Sequence, residues 1–350
     1  MICVILKEYK MKKEKIRFAI IGFGNIGIRH AKHMEAHPDA QLVSVCDIRQ
    51  EALPDFDHSN IQVFNNLEEM LLKGDFDVLS VCTPNVLHAP HTIAALRKGY
   101  HVICEKPMAT RSEDSAQMML EAEKAQRTIF VVKQNRYNQP VQRVKQLLQQ
   151  GILGKPYLIN VNCFWNRNKD YYQESSWRGT RMQDGGCLFT QFSHFIDILY
   201  YLFGPVQAKS GMIRNFAHEY TELEDSGVFI METASGALVN FNFSTCSYEK
   251  NLEGAFTILS EKGAVKIGGQ YLNTIEYQQI EDHVIPPIHI QAKANDYGKY
   301  QGSMSNHDQM IHNVIQTLRG EASIMTSAAE GHEVVKIIES MYASVNGFRK

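Results

Sequence analysis

No block of lysine and arginine interrupts this 350-residue sequence, and its formal net charge is only −2. It therefore projects no field that would gather nucleic acid or an anionic membrane, and neither is expected as a partner. Its seven cysteines (Cys3, Cys46, Cys82, Cys104, Cys163, Cys187, Cys246) include no CxxC pair. Cys46, Cys82 and Cys104 each close an apolar run with the character of a buried strand, so structural thiols in a reducing compartment are expected rather than disulfides or zinc, and no metal is expected. No apolar run reaches membrane-spanning length. The opening MICVILKEYKMKKEK has too short an apolar stretch, and no small-residue cleavage site, for a signal peptide. The expected location is the cytoplasm. Met11, ahead of a basic stretch and the first strand, is the expected natural start, with the preceding residues a frayed extension. Internal repeats and low-complexity segments are missing too. What remains is ordinary: 44% hydrophobic and 21% charged residues, at a length that suits two globular domains.

The first third alternates short β-branched runs with helical stretches: IRFAII, Asn25 to Ala36, QLVSVC, IQVF, Leu67 to Lys73, DVLSVC, Ala89 to Lys98, HVICEK, Ser112 to Gln126 and TIFVVK. Strand and helix in alternation predict a parallel sheet with helices on both faces. The texture changes after QNRYNQP. A helix (Val141 to Gln150) leads to a long strand, Tyr157 to Phe164, then a polar loop from Asn166 to Gln183 and an apolar helix from about Leu188 to Phe203. Hairpin signals follow at TASGAL and SEKGAV, and two helices, Asp308 to Leu318 and Ala328 to Ala343, close the chain. This predicts an α/β chain with a dinucleotide-binding domain over residues 15–136 and an α+β domain over residues 137–350, mainly antiparallel.

The first strand runs straight into Gly22-Phe23-Gly24-Asn25-Ile26-Gly27, a helix follows, and the next strand delivers Asp47 twenty residues beyond Gly27. Gly22 permits the tight turn, Gly24 lets the backbone approach a pyrophosphate, and Gly27 lets helix and strand pack closely. The helix N-terminus, with unpaired N–H groups, receives the phosphates. Asp47 can accept both ribose hydroxyls of adenosine and would repel a 2′-phosphate, which favours NAD over NADP; Arg49 nearby works against that preference. Two further strand ends face the same way, CTPNVLH (Cys82 to His88, with Thr83, Pro84 and Asn85) and CEKP (Cys104 to Pro107). Lys106, flanked by Glu105 and Pro107, stands where the nicotinamide is expected. It is either a solvated charge or a group held against a substrate hydroxyl.

AIIGFGNIG, CTPNVLH, EKPM and DGGCLFTQFSHFIDILYYLFG, in that order, resemble the glucose-fructose oxidoreductase, inositol dehydrogenase and rhizopine-catabolism (Gfo/Idh/MocA) family of nicotinamide oxidoreductases, over roughly Ile16 to Ala343. The resemblance implies a Rossmann domain followed by an α/β domain whose open-faced sheet makes a homo-dimer or homo-tetramer. It also implies catalysis at Lys106 and His194. Many sugar and inositol dehydrogenases of the family carry an aspartate four residues before that histidine, where this chain has Thr190 followed by Gln191. The segment Trp177-Arg178-Gly179-Thr180 ahead of Asp184 instead resembles the branch that oxidises the 3″-hydroxyl of UDP-N-acetylglucosaminuronic acid, in which the tryptophan-arginine pair approaches the cofactor. A nucleotide-linked sugar, met by Lys106, Asp184, Thr190, Gln191 and His194, is the substrate this implies.

Helical spacing places Gln191, His194 and Asp197 on one face of an otherwise apolar helix, where polar groups need partners or a ligand. A core histidine oriented by Asp197 is the alternative to a catalytic one. Trp177 reads equally as a core aromatic and Arg178 as a surface ion pair. Asn135, in NRYN after the last Rossmann strand, can reach the nicotinamide end. SMSNHDQ (Ser303 to Gln309) is a polar helix start able to bind an anion, and capping alone explains it equally well. The function expected is NAD-dependent oxidation of a sugar secondary alcohol. The alternatives are an inositol or aldose dehydrogenase, a glycosidase that retains NAD, a non-catalytic dinucleotide-binding regulator, and a structural member of a polysaccharide-enzyme complex.

Overall fold

Runs too short to be helices, apolar and mostly buried except at the edge strand, form the first layer. In the computed structural model, which describes residues 14–49, 60–288, 294–296, 298 and 301–345, these runs are β1 (Ile16–Ile21), β2 (Ala40–Cys46), β3 (Gln62–Phe64), β4 (Val78–Val81), β5 (His101–Cys104) and β6 (Ile129–Val131). Cys3 and Met11 lie outside the described residues. All five pairings are parallel, in the order β3-β2-β1-β4-β5-β6. β4 is wholly buried, as a strand with helices on both sides must be. The intervening helices are α1 (Asn25–Ala36), α2 (Leu67–Lys73), α3 (His88–Arg97) and α4 (Ser112–Ala125). The strand order reverses between β1 and β4, which opens a crevice at the carboxyl ends of those strands.

A 3-10 turn over Gln134–Tyr137 and α5 (Gln139–Gln149) lead into the second layer. Its strands are β7 (Pro156–Phe164), β8 (Val206–Arg214), β9 (Ser226–Thr233), β10 (Leu238–Ser244), β11 (Glu253–Ser260), β12 (Gly263–Gly268) and β13 (Thr274–Ile280), ordered β13-β12-β11-β7-β10-β9-β8. Only β7 and β10 pair in parallel; the other five pairings are antiparallel. Period-2 alternation sets its two faces. Val239, Phe241 and Phe243 of β10 point into the core, while Leu238 and Asn240 are exposed. On the open face Asn240 and Asn242 donate to Asn160 and Asn162, each at 3.0 Å, among exposed Val228, Ile230 and Met212.

Between β7 and β8 the expected polar loop and single apolar helix are four helices: α6 (Lys169–Gln173), α7 (Arg181–Asp184), α8 (Cys187–Thr190) and α9 (Ser193–Phe203). The interruption falls at Gln191 and Phe192, whose N–H groups both donate to the Cys187 carbonyl. After a short β-pair, β14 (Ala294–Asp296) with β15 (Gln301–Met304), the chain ends in α10 (His307–Leu318) and α11 (Ala328–Ala343). α10 returns to pack on α1, and α11 packs on α4, α9 and β8. A buried knot joins the layers. The fully buried Arg136 grips Asp197 of α9 through two bonds of 2.8 and 2.9 Å and Glu330 of α11 at 2.6 Å. Asp197 is therefore Arg136's partner and does not orient His194, which removes the alternative of a core histidine oriented by Asp197: a bidentate guanidinium outcompetes a helical neighbour.

Candidate active site

The glycine turn has a separate physical reason at each position. Gly22 has φ +87° and sits so close to β4 that a Cβ would lie 2.6 Å from the Cys82 carbonyl oxygen. At Gly27 a Cβ would meet the Gly22 oxygen at 2.1 Å, so only glycine lets α1 lie on the turn. Gly24 is open: the nearest atom to a Cβ there is the Arg49 side chain at 3.7 Å. It is the N-cap of α1 and offers no side-chain acceptor to the first-turn N–H groups, which leaves them for a ligand. Asp47, at the end of β2, is buried. Its carboxylate accepts the Phe23 N–H at 2.7 Å and the Arg49 N–H at 2.8 Å, and pairs with the Arg49 guanidinium at 3.3 Å.

A cavity of about 1030 Å³ opens from this turn across the switch point to the second layer. Gly22, Gly24, Asn25, Ile26, Asp47, Thr83, Pro84, Asn85, His88, Glu105, Lys106, Trp177, Arg178, Thr190, Gln191 and His194 all line it. Of the residues the sequence points to, Phe23, Gly27, Asn135 and Asp184 do not. Phe23 and Gly27 act behind the turn. Asn135 is buried, and its neighbour Gln134 takes the place on the wall. His88 stands with one ring nitrogen 2.6 Å from the Pro107 carbonyl oxygen and the other 2.8 Å from that of Thr83, bracing the two strand-end turns against each other.

Lys106 follows β5. Its ammonium donates to the Thr190 carbonyl at 2.7 Å, and burial lowers its pKa, opposed by Glu105 and Asp184. Glu105 accepts the Lys106 N–H at 3.1 Å on one oxygen and stands 3.0 Å from His30 Nε2 with the other. Despite burial, His30 holds Glu105 down to about 2; burial disfavours the His30 charge, yet contacts with Cys82 and Glu105 raise its pKa above the ordinary value. A buried carboxylate thus sits permanently beside the lysine.

The second layer supplies the opposite wall. The Thr190 hydroxyl donates to the Asp184 carboxylate and accepts from Asn85 Nδ2 at 2.7 Å. So the acid absent at position 190 is present one bond away. Asp184 also accepts the Gly179 N–H at 2.8 Å, which pins the Trp177–Thr180 segment, and burial pushes its pKa up to about 6. Arg178 makes the ion pair expected of a surface residue, with Glu174 at 2.5 Å, yet lies on the cavity wall over the Tyr171 ring. Trp177 is half-buried on the same wall rather than in the core. His194 is buried, and its Nδ1 has no hydrogen-bond partner among the described residues. Burial, then Lys106 and Lys133, hold it well below its ordinary pKa, so it is a neutral imidazole. Gln191 is clamped between Arg167 Nε at 2.7 Å and the Tyr171 hydroxyl at 2.5 Å.

Three contributors carry little sequence signal. Arg167 is buried on the wall, its guanidinium 4.9 Å from the Trp165 ring centre. Lys133 is buried behind the site with its ammonium 3.3 Å from the Ser193 carbonyl, burial pushing its pKa down to about 8. His307, the first residue of α10, is buried on the wall. Of these only His307 lies in a motif singled out from the sequence.

This cradle fits a dinucleotide: an uncapped helix start, a glycine open to the cavity, and a carboxylate at the end of β2. Known proteins share this arrangement. An oxidoreductase-family NAD-binding Rossmann model matches residues 16–133, and the C-terminal alpha/beta domain model of the same family matches residues 145–350. Among solved structures, the chain is similar to the WlbA dehydrogenase from Bordetella pertussis in complex with NADH and UDP-GlcNAcA. That match has 35% identity and a TM-score of 0.84, covering 95% of this chain and 96% of that one. The WlbA dehydrogenase from Chromobacterium violaceum, also in complex with NADH and UDP-GlcNAcA, matches at 37% identity and a TM-score of 0.85, covering 95% and 94%. A D-glucoside 3-dehydrogenase of Escherichia coli is 25% identical over 95% of this chain and 96% of its own length.

Proposed function

This chain belongs to the Gfo/Idh/MocA oxidoreductase family, and from that premise we propose that it oxidises a secondary alcohol of a UDP-linked N-acetylated uronic acid to the ketone. It is an NAD-dependent sugar oxidoreductase. The observation that carries the finer reading is full-length similarity at 35–37% identity to dehydrogenases crystallised with NADH and UDP-GlcNAcA. Trp177–Thr180, pinned by Asp184, supports it. We assign residues 15–136 to the cofactor and residues 137–350 to substrate and self-association, with the asparagine-laced open sheet face as the homo-oligomer contact. The described cysteines are all unpaired, which suits a reducing cytoplasm.

Bound NAD⁺ supplies the acceptor for the hydride that leaves the carbinol carbon. Lys106, whose pKa is lowered by burial, is the base that takes the hydroxyl proton, and as an ammonium it then stabilises the forming carbonyl oxygen. The Thr190 carbonyl aims its Nζ. His194, neutral, offers a second hydrogen bond to the same hydroxyl and fixes the attack geometry. The test is turnover, followed by NADH absorbance in both directions, with UDP-N-acetylglucosaminuronic acid, a free glucoside, glucose and myo-inositol. The UDP-sugar should be preferred. Rapid turnover of inositol or a glucoside with none of the UDP-sugar refutes the substrate while leaving the family intact, and binding without turnover of any sugar favours a regulator.

A further inference from the structure

His307 belongs to the helix start that reads from sequence as either a cap or an anion site, and the structure shows no side-chain cap there. Asn306, the N-cap of α10, makes no side-chain cap bond; its amide donates instead to the Gln134 carbonyl and Asn138. His307 is 1% exposed and lines the cavity, with neither ring nitrogen hydrogen-bonded among the described residues. An imidazole so buried has lost water on both nitrogens and requires a partner. Across the cavity wall a carboxylate oxygen of Glu105 lies 4.0 Å from His307 Nε2. That is too long for a hydrogen bond. It is, however, the span across which one oxygen can sit about 2.8 Å from both atoms.

The chemistry of the pair selects what that oxygen is. His30 already directs its two nitrogens to Ser80, at 2.8 Å, and to Glu105, at 3.0 Å, so the three residues do not offer free ligands to a metal. Glu105 is held as a carboxylate and turns an anion away. Burial, with His30 nearby, pushes His307 down to about 3, so it is neutral, one N–H to give and one lone pair. A carboxylate acceptor facing a neutral N–H donor suits a group that donates and accepts at one atom, which is a hydroxyl. In the cavity the Gly24 end takes the phosphates and Lys106 stands at the reacting end, so the hydroxylated group between them is the second ribose of the dinucleotide.

We propose that His307, reaching over from α10, binds a hydroxyl of the nicotinamide-side ribose together with Glu105. This rests on the placement of the nicotinamide half beside Lys106. The cofactor site then includes a residue from the last third of the chain, and cofactor binding ties α10 to β5.

The test compares ADP, which ends before that ribose, with ADP-ribose, which includes it, by calorimetric titration of the full chain. Wild type should bind ADP-ribose more tightly than ADP. His307→Phe should leave ADP affinity within about twofold and weaken ADP-ribose and NADH about 10-fold, the scale of one buried hydrogen bond left unmade. His307→Gln, which keeps a donor at the reach of Nε2, should retain most of the gain and serves should the phenylalanine variant fail to fold. A wild-type gain that survives His307→Phe unchanged, or survives no better in His307→Gln than in His307→Phe, overturns the role of His307 alone. A wild-type chain that binds ADP-ribose no more tightly than ADP refutes the placement of the nicotinamide half itself, and this inference with it.

Discussion

Replacing Asp47 by asparagine removes the charge expected to discriminate between NAD and NADP. The amide keeps one oxygen to accept the Phe23 N–H, now 2.7 Å from the carboxylate, so the glycine turn need not move, while its NH2 cannot accept the Arg49 N–H that the other carboxylate oxygen takes at 2.8 Å. What is lost is a negative charge that a 2′-phosphate would approach to about 5 Å. With an effective dielectric of about 20, each unit of phosphate charge contributes about 3 kcal/mol of repulsion there. Screening and the exposed Arg49 guanidinium, 3.3 Å from the same carboxylate, reduce that figure, and about 2 kcal/mol remains a conservative expectation. The variant also weakens charge-assisted bonds to the unphosphorylated ribose by about 1 to 2 kcal/mol. Together the ratio of NAD to NADP affinity should fall about 100-fold or more, through loss on one side and gain on the other. Fluorescence titration with NADH and NADPH measures both constants on one sample. An unchanged ratio in a folded variant would show that Asp47 serves only the turn, and that selectivity resides elsewhere.

Lys106→Met should lower turnover about 10²-fold or more while NADH affinity barely changes, and with His194→Asn the double variant should lose much less than the product of the single losses, as residues acting on one hydroxyl do; steady-state kinetics decides, and a Lys106→Met enzyme near full activity refutes the base. The acid limb of the kcat/KM profile should belong to Lys106, since His194 stays neutral across it. For Asp184 the sign is set by a pKa raised from 3.8 to about 6: the native state holds its proton longer than the unfolded one, so between about pH 4 and 6 this group makes stability fall as pH rises, by about 3 kcal/mol in all. Urea unfolding of Asp184→Asn against wild type should show the variant gaining over that window, and parallel curves would refute the shift.

The cofactor half of the site was legible because its determinants are local. Gly22, Gly24 and Gly27 follow one strand and Asp47 ends the next, so spacing along the chain is nearly spacing in space. Lys106 was equally visible as a strand-end residue. The second layer was not, because long-range packing assembles it. Gln191 reads as a helix-face residue, yet it leaves the helix for Arg167 and Tyr171, more than twenty and about twenty residues away. The break at Gln191–Phe192 leaves no trace in the apolar pattern, since Phe192 and Phe195 are buried whether or not the helix is continuous. Asp197 shows the same limit: periodicity names its neighbours but not Arg136, a competitor from the turn after β6.

The Arg136 knot also sets how firmly the two layers are held together. It lies at the strap between the two layers, where a book-like opening would have to bend, and separating a buried guanidinium from its carboxylates costs about 3 to 5 kcal/mol. The wall formed by residues 166–183 is held partly by buried bonds, those of Arg167 and of Gly179 to Asp184, and partly by the Arg178–Glu174 pair nearer solvent, a contact of about 1 kcal/mol or less. A book-like opening is therefore the costly motion, and the spine between the layers stays shut.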